Sequence, residues 1–192
     1  YILYTSFSSG IGEGNIAEVL HYLRLCSGLI IDVRGNGGGQ LDYAQRLASH
    51  FTNERILVGY TQHKTGPGHN EFSSFTEEYL EPSTTVRWQK PVIVLTNRGC
   101  YSSTNTFVRD MLCCPLVKTL GDSTGGGSGM PFTSELPNGW SIRFSACPQY
   151  DRNKQHIEFG IAPTIPCALQ EEDLKKGKDT LIEKAREILN QE

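Results

Sequence analysis

The chain has 192 residues, a net charge of −3 and 38% hydrophobic residues, which is enough material for one folded core. The balanced charge, without a basic stripe, argues against a nucleic-acid partner, and no apolar run is long enough to span a membrane. Six cysteines form no CxxC pair, which argues against a zinc site, and we expect neither a metal nor a cofactor.

The first third of the sequence alternates between strand and helix patterns. Residues 1–7 predict an opening strand, and apolar residues at helical spacing follow from Asn15. A buried strand is predicted over 29–33, and a second amphipathic helix over 41–51. This order of elements predicts an α/β domain.

A glycine-rich loop, Arg34–Gly39, connects that buried strand to the second helix. It lacks both the G-x-G-x-x-G spacing and the Lys-Ser/Thr of a phosphate loop, so a nucleotide site is not indicated. The glycines permit a tight turn between strand and helix. They also permit backbone amides to approach a developing negative charge closely, and the loop alone does not separate the two interpretations.

The middle of the chain contains a long polar stretch. After a strand over 55–61, the polar excursion of 59–88 is rich in turn residues, and we expect it to contain a strand at Val86–Trp88. Loops of this length are uncommon in compact domains unless they are functional or form a hairpin of their own.

The stretch Pro91–Val108 reads as a buried strand, Val92–Thr96, that turns into a helix at Ser102 and Ser103. Serines at a helix start commonly cap the free amides. A serine at a sharp strand-to-helix turn can instead present a nucleophilic hydroxyl beside the next backbone amide, which forms half of an oxyanion hole. Both interpretations fit the local sequence.

The last third begins with a strand over 116–120 and a second glycine-rich loop over 121–129. Pro137–Gly139 predicts a tight hairpin turn. The region 170–192 predicts one charged amphipathic helix, Glu171–Leu189, that closes the fold at its edge.

Four segments in order resemble one protein family: LIIDVRGNGGG (29–39), PVIVLTNRGCYSSTNTF (91–107), GDSTGGGSGMPF (121–132) and EFGIAPTI (158–165). Together they resemble the tail-specific, or carboxy-terminal processing, protease family of serine peptidases. This family is related to the tricorn core and to the interphotoreceptor retinoid-binding protein. The resemblance implies a crotonase/ClpP-like spiral of β-β-α units with a C-terminal hairpin and a closing helix.

The resemblance assigns roles to individual residues. It implies that Ser102 is the nucleophile and that the amide of Ser103 forms the oxyanion hole with Gly37 or, preferably, Gly38. It also implies that Glu158 is the supporting glutamate of the tricorn-like branch. A polypeptide substrate and an extracytoplasmic bacterial location follow from the same resemblance, whereas the oligomeric state does not.

The general base is missing from the expected positions. Gly127 stands where processing proteases carry a lysine, and Leu3 stands where the tricorn-like branch carries a histidine. A serine hydroxyl needs an adjacent base to become a good nucleophile. We expect 1–192 to be one catalytic core, part of a longer chain whose upstream segment supplies the base; within the chain, His69 is the preferred alternative, ahead of His63 and His156.

Two function classes follow from these observations. The first is a serine endopeptidase that acts on extended or carboxy-terminal peptide segments through Ser102. The second is a catalytically silent module that binds a peptide or an apolar ligand in the same cleft, which the missing base supports. An acyl-CoA enzyme of the crotonase type would share the oxyanion loops, but the serine turn argues against it.

Overall fold

The structure, a computed structural model, describes residues 1–191 and contains three sheets with helices packed on them. The strands are β1 (Ile2–Leu3), β2 (Leu29–Asp32), β3 (Ile56–Thr61), β4 (Thr76–Leu80), β5 (Val92–Thr96), β6 (Val117–Gly121), β7 (Phe132–Glu135), β8 (Ser141–Phe144), β9 (Gln149–Asp151) and β10 (Ile165–Pro166). The helices are α1 (Glu13–Tyr22), α2 (Leu41–Ala48), which a 3₁₀ turn at Ser49–Phe51 extends, α3 (Ser103–Leu112), α4 (Glu171–Lys175) and α5 (Thr180–Leu189).

The largest sheet is parallel throughout, with the strand order β1-β2-β5-β6-β10. All four residues of β2 and all five of β5 are buried, because helices cover both faces of the sheet. Side chains of β5 alternate between two cores: Val92 and Val94 pack with α1, α2 and α3, whereas Ile93 and Leu95 pack with α5. The predicted α/β class is therefore confirmed.

The polar excursion contributes β4 to a second sheet, in which β3 pairs antiparallel with β4 on one side and with β9 on the other. The strand predicted at Val86–Trp88 is wrong, since the strand lies at Thr76–Leu80. Trp88 is 5% exposed, and its amide donates to the carbonyl of His50 at 2.7 Å. The apolar residues Val86 and Trp88 are therefore explained by packing in the larger core and not by strand pairing.

Two further sequence predictions need correction. The opening strand covers only Ile2–Leu3, and Phe7 forms an isolated bridge with Gly39 of the glycine loop instead. The predicted helix over 171–189 is two helices, because Gly177 adopts a left-handed φ of +69° that ends α4. The second of them, α5, packs Leu181 and Ala185 on a face of the parallel sheet and not at its edge.

The position of α5 depends on a charged cluster at the end of β2. Arg34 donates from Nε and Nη2 to both carboxylate oxygens of Asp32, at 2.9 and 2.6 Å, and its Nη1 lies 2.8 Å from Asp179 Oδ2. The other oxygen of Asp179 caps α5 by accepting from the amides of Leu181 and Ile182. One guanidinium therefore joins the sheet to the start of the helix that covers it.

Between residues 1 and 191, no helix combines the length and the apolar character that crossing a bilayer would need. The same residues contain no group of three or more His, Cys, Asp or Glu side chains placed to hold a metal ion.

We predict that Asp32→Asn lowers the free energy of unfolding at pH 7 by about 1–3 kcal/mol, because it removes the negative charge and replaces one of the two acceptor oxygens facing Arg34 with a donor. Burial alone would raise the pKa of Asp32, but hydrogen bonds from Arg34 and Tyr1 hold it below its ordinary value of 3.8. The ionised form therefore stabilises the folded state above pH 3.8, and this contribution is lost as the pH falls below that value.

Urea unfolding at pH 7 and pH 3 measures this effect. The difference between wild type and Asp32→Asn should shrink at pH 3, whereas the control Asp42→Asn, whose side chain is 65% exposed, should stay within about 0.5 kcal/mol of wild type. An equal difference at both pH values would show that the charge of Asp32 is not the source.

Candidate active site

Ser102 occupies a strained turn between β5 and α3. Its backbone has φ 59° and ψ −124°, a conformation that residues other than glycine rarely adopt. Strain of this kind costs about 1–3 kcal/mol and persists only where the surrounding structure fixes it. The strand-to-helix turn predicted from the sequence is therefore a sharp elbow in the structure.

The hydroxyl of Ser102 has no structural task. Ser102 is the N-cap residue of α3, yet its side chain makes no capping hydrogen bond. Its Oγ has no hydrogen-bond partner in the part of the chain that the structure describes. Of the two sequence interpretations, capping by Ser102 is therefore wrong, and a half-buried hydroxyl is left for another use.

Two loops hold the elbow from opposite sides. On one side, the amide of Tyr101 donates to the carbonyl of Asn36 at 3.1 Å. On the other side, the amide of Ser102 donates to the carbonyl of Gly126 at 2.8 Å, and the amide of Gly125 donates to the carbonyl of Cys100 at 2.7 Å. These loops follow β2 and β6, which flank β5 in the sheet, so the strand order brings the two glycine-rich loops to the serine.

Gly38 lies directly against the elbow. A Cβ at this position would meet the carbonyl oxygen of Tyr101 at 2.6 Å, Cβ of Ser102 at 2.9 Å and the amide nitrogen of Ser103 at 3.0 Å. Its φ of +98° also favours glycine. The convergence expected of the glycine loop and the serine turn is therefore present in the structure.

The amides of this loop differ in their availability. The amide of Gly38 donates to Oδ1 of Asn36 at 2.9 Å. By contrast, the amides of Gly39 and Ser103 donate no hydrogen bond within residues 1–191. Gly37 is exposed, and the space where a Cβ would stand is open. The amide of Gly37 likewise donates none within those residues, so the amides of Ser103, Gly37 and Gly39 are all without an acceptor there.

Asn36 organises this arrangement and was not recognised from the sequence. It is fully buried, its Nδ2 donates to the carbonyl of Tyr4 at 2.9 Å, and its Oδ1 accepts from the amide of Gly38 and, at 2.7 Å, from Oγ1 of Thr104. One amide side chain therefore connects the opening segment, the glycine loop and the start of α3. An Asn inside a glycine run directly after a buried strand was the available signal.

A cavity of about 160 Å³ opens beside Ser102. It is lined by Gly39, Leu41, Ser102, Ser103, Thr106, Gly127, Ser128, Met130, Pro131, Arg143 and Gln149. The hydroxyl of Ser103 is buried without a hydrogen-bond partner among the described residues. A larger cavity of about 760 Å³ lies on the α5 side of the sheet, next to Arg34, but Ser102 does not line it. We therefore consider the smaller cavity the candidate active site.

A buried polar network beneath the cavity fixes the second glycine loop to α3. Nδ2 of Asn105 donates to Oγ of Ser128 at 2.8 Å, and Oδ1 of Asn105 accepts from Oγ1 of Thr124 at 2.5 Å. Oγ1 of Thr106 donates to Oε1 of Gln149 at 3.0 Å. All five side chains are buried, so their hydrogen bonds exchange little with water and hold the loop in one arrangement.

Gly127, at the expected lysine position, has a φ of +77°, and the ring of Tyr101 fills the space that a Cβ would need. Glu158 lies next to the same loop, where its carbonyl accepts from the amide of Gly127 at 3.0 Å. Its Oε2 lies 3.5 Å from the position of a Cβ on Gly129. The structure thus places Glu158 against the site loop, whereas a side chain at position 127 would displace Tyr101.

The three histidines considered as a base lie elsewhere. His69 is exposed in the turn that follows β3, and its recorded contact is a carbonyl that accepts from Lys64. His63 pairs through Nδ1 with Sγ of Cys147 at 3.2 Å, and the ring of His156 packs 5.1 Å from that of Tyr150. None of them lines the cavity beside Ser102.

Comparison with known proteins identifies what this chain resembles. The family model of Peptidase family S41 matches residues 1–167. The carboxy-terminal processing protease CtpB of Bacillus subtilis (strain 168) is 26% identical over 168 residues, which cover 86% of this chain and 33% of that protein. The chain therefore spans about a third of this curated relative.

Two solved structures share the fold. A protein of Parabacteroides merdae ATCC 43184, described as a candidate peptidase, has a TM-score of 0.95 and 57% identity, and the match covers 97% of this chain and 59% of that one. Mature CPAF complexed with lactacystin has a TM-score of 0.83 at 14% identity, with 97% and 50% covered. The second likeness shows the fold alone.

We predict that Asn36→Ala lowers the free energy of unfolding by about 2–4 kcal/mol, because it leaves the amide of Gly38 and the hydroxyl of Thr104 without their acceptor and the carbonyl of Tyr4 without its donor. The control Asn70→Ala, at an exposed turn, should change stability by less than about 0.5 kcal/mol. Chemical denaturation of the three proteins provides the comparison, and equal stabilities would refute the organising role of Asn36.

Proposed function

Because the chain belongs to peptidase family S41, we propose that it forms the catalytic core of a serine-type endopeptidase acting on extended or carboxy-terminal polypeptide segments. The observation that carries this proposal is the hydroxyl of Ser102, which makes no capping hydrogen bond and lies at a strained turn that lines a cavity. The fold assignment at finer detail, a crotonase/ClpP-like spiral of β-β-α units, rests on the sequence resemblance.

In this proposal, Oγ of Ser102 attacks the carbonyl carbon of the scissile peptide bond while a base accepts the hydroxyl proton. The carbonyl oxygen becomes an oxyanion, and collapse of the tetrahedral intermediate releases the amine, which takes up the proton. Water then hydrolyses the acyl-enzyme by the same route and regenerates the hydroxyl.

The oxyanion requires backbone donors close to the serine. The amide of Ser103 suits this task because it follows the nucleophile and has no other acceptor within residues 1–191. Gly37 and Gly38 were expected to supply the second donor. The amide of Gly38 can do so only by leaving Asn36, whereas the amides of Gly37 and Gly39 have no acceptor within residues 1–191. Because Gly39 also lines the cavity beside Ser102, we add it to the two candidates.

The base is the missing part of this mechanism. We propose that a residue outside 1–192 supplies it, because no titratable side chain of the described chain is hydrogen-bonded to Oγ of Ser102. Glu158, at the site loop, is proposed to orient this base. His69 stays the alternative within the chain, although its contacts do not extend to the cavity.

A second candidate function has support from the same observation. A serine without a base would make the cleft a binding site for a polypeptide without turnover. In that case, Ser102→Ala would bind peptides as the wild type does, and neither protein would hydrolyse them.

Ser102→Ala in the full-length protein tests the peptidase proposal. We expect covalent labelling of the wild type by a fluorophosphonate probe, complete loss of labelling in the variant, and a fall in peptide hydrolysis of at least about 10³-fold. The control Ser27→Ala, at an exposed turn after α1, should be labelled and active like the wild type. A wild-type protein that neither reacts with the probe nor cleaves peptides would leave the binding function as the better conclusion.

The location of the base gives a separate prediction. Residues 1–192 alone should hydrolyse peptides little, since an oxyanion hole without a base provides only residual catalysis, and the full-length protein should be active. Initial rates of both proteins with one quenched-fluorescent peptide measure the difference. If residues 1–192 are as active as the full-length protein, the base lies within them, and His69→Ala and Glu158→Gln become the first variants to assay.

A further inference from the structure

The hairpin of β7 and β8 contributes to the wall of the candidate active site, and no third strand of the described chain pairs with it. The two strands make a separate two-stranded sheet, and every residue in both is exposed. Successive residues of a strand point to opposite faces. On one face the rings of Phe132 and Phe144 are in edge-to-face contact, with centroids 4.1 Å apart. The opposite face carries the cross-strand pair Thr133 and Arg143.

Arg143 connects this hairpin to the serine. It lines the cavity beside Ser102, together with Met130 and Pro131 from the segment that leads into β7. Among the residues that line this cavity, it is the only charged one. A positive charge thus lines the same small cavity as the proposed nucleophile.

The guanidinium of Arg143 is not neutralised by the chain. Arg34 and Arg109 pair with the carboxylates of Asp32 and Asp110, but Arg143 has neither an ion pair nor a hydrogen bond through its side chain within residues 1–191. Glu135 projects on the same face of the hairpin, opposite Ser141, yet it forms no ion pair with Arg143.

We propose that Arg143 is a specificity-determining residue that binds a carboxylate of the polypeptide substrate close to the scissile bond. A guanidinium presents parallel N–H donors that match the two oxygens of a carboxylate. The cavity of about 160 Å³ has room for little more than one side chain, so the carboxylate belongs to a residue near the cleaved bond. This inference rests on the proposed function and names the substrate class of the same site.

The carboxylate could be the free C-terminus of the substrate or the side chain of Asp or Glu. Four quenched-fluorescent peptides of otherwise identical sequence separate these sources: one has a free C-terminus, one a C-terminal amide, one an internal Glu and one the matching Gln. We would measure kcat/KM at low ionic strength with full-length wild type, Arg143→Gln, Arg143→Glu, and the control Arg186→Gln on the exposed surface of α5.

We expect the wild type to prefer one of the two carboxylate peptides over its neutral partner by about tenfold, the effect of one charge-assisted hydrogen bond. Arg143→Gln should abolish this preference by lowering kcat/KM for the carboxylate peptide to that for its neutral partner. Arg143→Glu should reverse it, in favour of the neutral peptide of that pair, and Arg186→Gln should retain it. A merely structural role of Arg143 would lower the rates for all peptides alike.

Two failures are distinguishable. Cleavage that depends on Ser102 but shows no carboxylate preference, or shows one that Arg143→Gln leaves unchanged, overturns this inference and leaves the proposed function standing. If no peptide is cleaved at all, the proposed function fails, and fluorescence anisotropy with the uncleaved peptides decides the inference. A carboxylate preference in binding that Arg143→Gln removes supports it, and its absence overturns it.

Discussion

The left-handed backbone of Ser102 is the constraint on which the rest of the site depends. A serine in this conformation is unfavourable by itself, so neighbouring segments have to compensate for it. The compensation comes from backbone hydrogen bonds to Asn36 on one side and to Gly126 on the other. Both acceptors lie in loops that follow strands adjacent to β5, and the elbow therefore exists only when the parallel sheet has formed in its observed order.

The same constraint explains why glycines gather around the serine. Gly38 and Gly126 approach the elbow and the Glu158 backbone so closely that a Cβ would collide with main-chain atoms. Close approach brings backbone amides near the hydroxyl, and it also leaves little room for side chains that could act as a base. Tyr101 fills part of that room by covering Gly127. The crowded backbone thus accounts both for the available amides and for the isolation of the Ser102 hydroxyl.

The sequence predicted the parts of the fold that depend on local hydrophobic runs. Strands β2 and β5 are continuous apolar runs, and burial on both faces is what such runs indicate. The strand Thr76–Leu80 was missed because it is polar and is specified by pairing with β3, which a local pattern does not reveal. The break at Gly177 was missed because the charged residues on either side continue a helical pattern.

The candidate site was predictable to a similar extent. A serine turn and two glycine loops can be recognised in the sequence, and their convergence requires the strand order that only the structure provides. The hydrogen bond from the Gly38 amide to Asn36 depends on the orientation of the Asn36 side chain. The position of Arg143 at the cavity beside Ser102 depends on where a hairpin distant in sequence folds back. Neither leaves a periodic or compositional signal in the sequence.

The cysteine beneath the elbow has a consequence for observing how the site moves. Cys100 is fully buried, its Sγ donates to the carbonyl of Val33 at 3.1 Å, and burial raises the pKa of its thiol to about 11. Alkylating reagents react with thiolates that are accessible to solvent, so Cys100 can react only when the contact between the two loops opens. Cys26 is exposed and would be modified at once. The rate at which Cys100 is modified, compared with that of Cys26, therefore measures how often the serine elbow opens in the native protein.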